Sequence, residues 1–151
     1  MIIYNVVRSN TTPTASQDFY TILANATRSF GILEVDVEGA GTASAYTEIA
    51  LYRTTTAGNT GGGPITAVPV NPALPASGFT AETTWTTQPT VGALIHTCPV
   101  NSNGQRYFWR AMPNLSNAIW SPGGAVAAGM VSLRPITISG AITARLQVGE
   151  I

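Results

Sequence analysis

The chain has 151 residues, seven cationic and seven anionic, so its formal net charge is zero and only 9% of it is charged. Every cation is arginine; there is no lysine, and histidine and cysteine occur once each, as His96 and Cys98. The length fits one domain with a buried core. The charge balance excludes the basic stripe that neutralises phosphates, so nucleic acid is not an expected partner, and no apolar run approaches the roughly 18 residues of a membrane span.

The start, Met1-Ile2-Ile3-Tyr4-Asn5-Val6-Val7-Arg8, lacks the basic region and long apolar stretch of a signal peptide and reads as a strand. Within residues 1–14 this segment is either a free arm, able to add as a strand to a partner's sheet edge, or an edge strand of its own domain. Asp18 to Ala24 is a further strand, although Thr14 to Leu23 has room for a helical turn. In Leu33-Glu34-Val35-Asp36-Val37-Glu38 the aliphatics alternate with carboxylates, which predicts a half-buried strand with one wet face. One wet face favours antiparallel sheets over a helix-covered parallel sheet.

Thr47 to Thr54 is the next strand. From Thr55 to Pro89 the chain changes character, with Gly61-Gly62-Gly63-Pro64 and then Pro69, Pro72, Pro75 and Pro89. Proline cannot donate to a central ladder, so this Gly/Pro-rich excursion (55–90) is expected to be edge strand or loop, wrapping the domain or reaching a neighbour. Strands follow at Ala93 to Val100, Gln105 to Met112, Ala125 to Leu133 and Ile142 to Val148. Asn103-Gly104 predicts a hairpin with a type I′ turn, and Pro122 to Gly124 and Ser139-Gly140 supply further turns. About eight short strands at this spacing indicate an all-β, antiparallel β-sandwich or barrel in a single domain, 1–151.

Little in the chain is equipped for chemistry. His96 and Cys98, two apart in a strand, share a face, yet a Cys–His nucleophile pair also needs an orienting acid and an oxyanion hole. One His and one Cys fall short of a zinc site, and a single Cys98 makes no internal disulfide. Glu34, Asp36 and Glu38 lack the loop that calcium requires, and a solvated face or an inter-subunit pair with arginine is the better reading. Gly61-Gly62-Gly63 has no Gly-Lys-Ser/Thr after it and no helix start, so it is not a phosphate loop. Trp85, Trp109 and Trp120, with Tyr107 and Phe108, are core or interface aromatics; a sugar platform is the functional alternative. No catalytic residue, metal site or cofactor is expected.

The order Ser16-Gln17-Asp18-Phe19-Tyr20-Thr21-Ile22-Leu23-Ala24, the alternating strand from Ile32 to Glu38, Glu48-Ile49-Ala50-Leu51-Tyr52-Arg53-Thr54-Thr55-Thr56-Ala57-Gly58, Thr84-Trp85-Thr86-Thr87-Gln88-Pro89-Thr90-Val91-Gly92 and the aromatic strand from Arg106 to Arg110 resemble small virion proteins of tailed bacteriophages. In style the chain is similar to the capsid cement, or decoration, proteins. The resemblance covers roughly Ser16 to Ile151 and rests on strand and turn patterns. It implies a jelly-roll-like β-sandwich, a homotrimer or other capsid-bound oligomer, the major capsid protein as partner, synthesis in a bacterial cytoplasm and residence on the capsid surface. No functional residue carries over from it. Ile2, Ile3, Tyr4, Val6, Trp85 and Trp120 are the candidate interface residues. A receptor- or glycan-binding head-fibre, tail or neck component is the alternative role.

Overall fold

The computed structural model describes residues 1–24, 28–56, 59–111, 118–121 and 130–151. All regular structure in them is β: β1 (Ile2–Thr11), β2 (Tyr20–Leu23), β3 (Phe30–Gly39), β4 (Tyr46–Thr56), β5 (Asn59–Ile65), β6 (Val68–Pro69), β7 (Thr80–Thr87), β8 (Thr90–Asn101), β9 (Arg106–Arg110), β10 (Ile119–Ser121), β11 (Met130–Thr137) and β12 (Ile142–Glu150). Every pairing is antiparallel. One sheet has the order β10-β3-β12-β1-β6, with β9 also pairing β3; the other runs β5-β7-β2-β11-β4-β8. The expected β-sandwich is present as these two six-stranded sheets.

Alternation builds the core. Tyr4 and Val6 of β1, Ile32, Val35 and Val37 of β3 and Ala144, Leu146 and Val148 of β12 meet Tyr20, Ile22, Ile49, Leu51, Cys98, Val100, Val131 and Leu133 of the opposing sheet. Each fully buried aliphatic or aromatic side chain contributes about 1.5–3 kcal/mol. The first and last strands pair in the middle of one sheet, from Ile2↔Glu150 to Arg8↔Ala144. Residues 1–14 are therefore not a free arm. Nor is β1 the edge strand: β6 covers its far side at Tyr4 and Asn5.

The alternating strand departs from its sequence pattern at one place. Between Gln147↔Glu34 and Val148↔Ile32 the register slips, leaving Leu33 unpaired. This bulge reverses the side-chain parity, so Ile32 and Val35 both face the core, while Leu33 is buried outside the core cluster.

The prolines follow the rule for ladders. Pro64 lies on edge strand β5, Pro69 on the two-residue β6 and Pro99 on edge strand β8. Pro135 sits in β11 beyond the stretch paired with β2, where only β4 flanks it. The 55–90 excursion is thus mostly sheet, and its strand β7 is interior, between β5 and β2.

The Asn103-Gly104 hairpin is corrected. Gly104 does take a positive φ of 79°, as a turn glycine should, but Asn103 does not. The turn carries the chain from β8 in one sheet to β9 in the other, and the two strands share no ladder. Thr14 to Leu23 holds a turn, with Gln17 N–H on Thr14 O at 3.2 Å, and then β2 in place of a helix. Ser139-Gly140 joins β11 to β12 as expected. The Pro122–Gly124 turn, Met112 and the first five residues of the Ala125–Leu133 strand lie outside the described residues.

Candidate interaction face

The residues that pointed weakly to catalysis are turned inward. Cys98 is fully buried, and burial pushes its thiol up to about 12, with the carboxylate of Glu48 adding to the rise. A thiol in that state is not a nucleophile. His96 is half-buried beside Tyr107 and Trp109, with ring centroids at 5.4 and 5.5 Å. Its Nε2 pairs with the Tyr107 hydroxyl, and desolvation lowers its pKa below the ordinary value. Among the described residues no three His, Cys, Asp or Glu side chains converge on a possible metal position.

A second cluster was not anticipated. Asp18, with its side chain fully buried, accepts from Thr21 Oγ1 at 2.6 Å, Ser132 Oγ at 2.7 Å and Arg134 Nε at 2.6 Å. Arg134 also donates to Pro89 O, and the indole N–H of Trp85 donates to Thr21 Oγ1 at 3.2 Å. Tyr20 and Ile22 point into the core, so Thr21 and this cluster lie on the outer side of their sheet. Trp85 covers the cluster. It follows Thr84, whose φ of 58° is unusual for a β-branched residue and breaks the alternation of β7. The group fastens β2, β7 and β11 together. Beside it, Arg8, Gln17, Asp18, Phe19 and Thr84 line a polar cavity of about 30 Å³, room for water rather than a metabolite.

The outward face of the β10-β3-β12-β1-β6 sheet is of a different kind. Directly paired residues point to the same side, so the register gives its rows. The first is Ile3–Gly149–Gly31–Trp120, extended by Val70, whose N–H bonds Ile3 O. The second is Val68–Asn5–Gln147–Glu34–Arg110, and the third Val7–Arg145–Asp36–Phe108. A fourth joins Thr143, Glu38 and Arg106. In the first row the glycines are required by what lies on them. A Cβ on Gly31 would sit 2.7 Å from the Trp120 ring, and one on Gly149 2.8 Å from Met1 Sδ and 2.9 Å from Leu33 Cδ1.

Here the expected wet carboxylate face is partly dry. Glu34 is fully buried, taking Arg110 at 2.6 Å and Arg145 at 2.7 Å. Asp36 takes Arg106 through two bonds, at 2.7 and 2.9 Å, and Arg145 at 3.0 Å. The arginine partners thus come from the same chain, on flanking strands β9 and β12. The Arg106 and Arg110 guanidinium carbons each lie 5.3 Å from the exposed Phe108 ring, so cation–π contact fixes the arginines and the ring together. Two polar atoms of this face, Asn5 Oδ1 and Arg145 Nε, are buried with no partner among the described residues.

Exposed apolar side chains concentrate on this face. Met1, Val7, Val68, Val70 and Phe108 are half of all large exposed hydrophobic residues described, and Val68 and Val70 are each 55% exposed. The outer face of a sandwich sheet is ordinarily polar. An apolar patch whose charges are already paired is the signature of a docking surface.

Of the residues singled out from sequence, Ile3 and Trp120 lie on this face, both half-buried. Ile2 packs against the core from a partly buried position. Tyr4 and Val6 are fully buried core residues, and Trp85 is the lid of the Asp18 cluster, so these three are corrected from interface to interior. No described tryptophan is exposed, since Trp109 and Trp120 are both half-buried. Sequence reasoning missed Val7, Val68, Val70 and Phe108 as a group, because three strands distant in sequence bring them to one face. No family model matches the chain, and no curated protein or solved structure does either.

Proposed function

We propose that this chain is a non-enzymatic structural protein of a tailed-phage virion, a cement or decoration protein that binds the outer capsid surface and bridges coat subunits. One observation carries the reading: the outer face of a six-stranded sheet that exposes valines and a phenylalanine while tying its arginines and carboxylates to each other. Supporting it is how the chain spends its ionisable groups. Arg8 bonds Phe19 O, Arg28 pairs Glu150, Arg53 bonds Trp120 O, Arg134 pairs Asp18, and the remaining arginines pair Glu34 and Asp36. A surface without lysine holds few loose side chains, and each rotamer-rich side chain frozen on association costs about 0.5–1.5 kcal/mol.

The mechanism is mass action. A protein that binds the assembled shell and not its separated subunits stabilises the shell by about 2.7 kcal/mol per site at a hundredfold excess over Kd, repeated at every site on the particle. Co-sedimentation of the purified protein with undecorated capsids tests it. Stoichiometric occupancy at symmetry axes with a raised capsid melting temperature is the expected result. Protein left in the supernatant at saturating capsid overturns the reading.

A further inference from the structure

We infer that the place where the chain passes from β1 to β2 is a binding site for a carboxylate group, gripped by Arg8 and the threonine hydroxyls around it. The site is separate from the outer sheet face and does not depend on the capsid reading.

The alternation of β1 sends Tyr4, Val6 and Arg8 to the same side, and the first two are fully buried core residues. Arg8 is therefore an inward-facing cation. Its guanidinium carbon lies 4.6 Å from the centroid of the buried Phe19 ring, and Nη1 donates to Phe19 O. Among the described residues it has no carboxylate partner, whereas Arg28, Arg106, Arg110, Arg134 and Arg145 each have one. The carboxylate beside it, Asp18, is already committed: Thr21 and Ser132 take one oxygen and Arg134 the other. Burial lowers the pKa of Arg8, and no acid offsets the effect. A desolvated charge is ordinarily paired, so a counter-ion from outside the chain is what this position lacks.

The space beside Arg8 suits such a group. Arg8 lines the polar cavity of about 30 Å³ together with Thr12, Thr14, Gln17 and Thr84. One water needs about 10–15 Å³ of such space, so the cavity takes two oxygen atoms, the number in a carboxylate. With Nη1 on Phe19 O, Arg8 keeps Nε and Nη2 as a two-pronged donor for that group. The threonine hydroxyls and the Gln17 amide add donors at the rim, where all four residues are exposed and leave the mouth open. Asp18 and Arg134 cancel, so Arg8 gives the cavity a net positive charge, which favours an anion over a metal cation.

Backbone strain is concentrated at the same place. Three described non-glycine residues have positive φ, and all three border this cavity. Asn10, at 44°, lies in the β1 irregularity between Arg8 and Thr11; Ser16, at 59°, lies between the lining residues Thr14 and Gln17. Thr84, at 58°, is in the lining itself. Such conformations persist only where the surroundings over-determine them, and they collect at ligand sites.

The test is a titration of the full-length protein with sodium acetate, followed by proton–nitrogen NMR, with sodium chloride at matched ionic strength as control. Saturable shifts of the Arg8 Nε–H and Phe19 N–H signals are expected, with a Kd of about 1 mM, inside the ceiling for a four-atom ligand. Arg8→Gln removes both prongs and weakens binding about tenfold or more. Thr84→Gly is the second variant. Glycine takes a positive φ freely, so this protein should melt at or above wild type while binding acetate about threefold more weakly. Shifts that chloride reproduces, or unchanged affinity in Arg8→Gln, overturn the inference; if Arg8→Gln does not fold, unchanged affinity in Thr84→Gly overturns it. A capped peptide carrying one glutamate separates the two sources of the group. Binding about tenfold tighter than acetate assigns the site to an acidic side chain of a protein partner, and equal affinity assigns it to a free small carboxylate.

Discussion

Deletion of Met1–Ser9 should abolish the fold, giving a chain with no cooperative thermal transition and a far-UV spectrum stripped of its strand signal. The deleted segment is most of an interior strand. It contributes Tyr4 and Val6 to the core, both fully buried. Tyr4 packs edge-on to Phe79 at 5.4 Å and donates its hydroxyl to Pro75 O at 3.2 Å, which ties the long β6–β7 connection to the sandwich. Losing either large side chain alone costs a few kcal/mol. Losing the strand also strips β12 of its partner from Ala144 to Glu150 and opens Ala144, Leu146 and Val148 to water. Total stability for a domain this size is about 5–15 kcal/mol, and the combined loss exceeds it. A truncated protein that melts like the full chain would show β1 to be a detachable arm after all.

Asp18→Ala should be the most damaging polar substitution, lowering stability by about 3–5 kcal/mol, the range for breaking a buried ion pair. The Asp18 side chain is fully buried and that of Arg134 is 14% exposed, so solvent does little to compensate the abandoned guanidinium. Thr21 and Ser132 lose their shared acceptor in the same step. At about 2–4 °C per kcal/mol for a chain of this length, the melting temperature should fall by roughly 10 °C. Asp18→Asn keeps an oxygen for the hydroxyls and removes only the charge, so it should fall between Asp18→Ala and wild type. Urea melts of the three proteins check this. An Asp18→Ala variant within about 0.5 kcal/mol of wild type, the ordinary range for a neutral surface change, would mean the cluster contributes nothing to the fold.

Eight of the twelve described strands were legible in sequence as short apolar or alternating runs; β5, β6 and β7, inside the Gly/Pro-rich excursion, and the three-residue β10 were not. Ile142–Val148 and Leu33–Glu38 declared one apolar and one polar side, and the structure places both at the centre of a sheet. What local pattern does not encode is the partner. Asn103-Gly104 marks a reversal of the backbone, but nothing nearby says whether the chain turns back along its own sheet or crosses to the other. The Leu33 bulge is equally silent, since inserting one residue changes parity without changing composition. Trp85 reached the outer side of its sheet through a positive φ at Thr84, a residue type that gives no hint of it. The arginine-only cation set pointed correctly to carboxylate pairing. It pointed to pairs between subunits, and the pairs of Glu34 and Asp36 are within one chain because β9 and β12 flank β3 on both sides.

The same arginine-only composition bears on how the protein meets a protease. A trypsin-like protease cuts after lysine or arginine and needs several residues of unfolded chain to do so. This chain has no lysine, and every arginine except Arg28 lies within a strand; Arg134 is also followed by Pro135, a bond that such enzymes leave intact. Arg28, half exposed between β2 and β3, is the one basic cleavage position outside the ladders. Digestion elsewhere must wait for a sheet to open, so resistance to proteolysis is set by the stability of the sandwich itself.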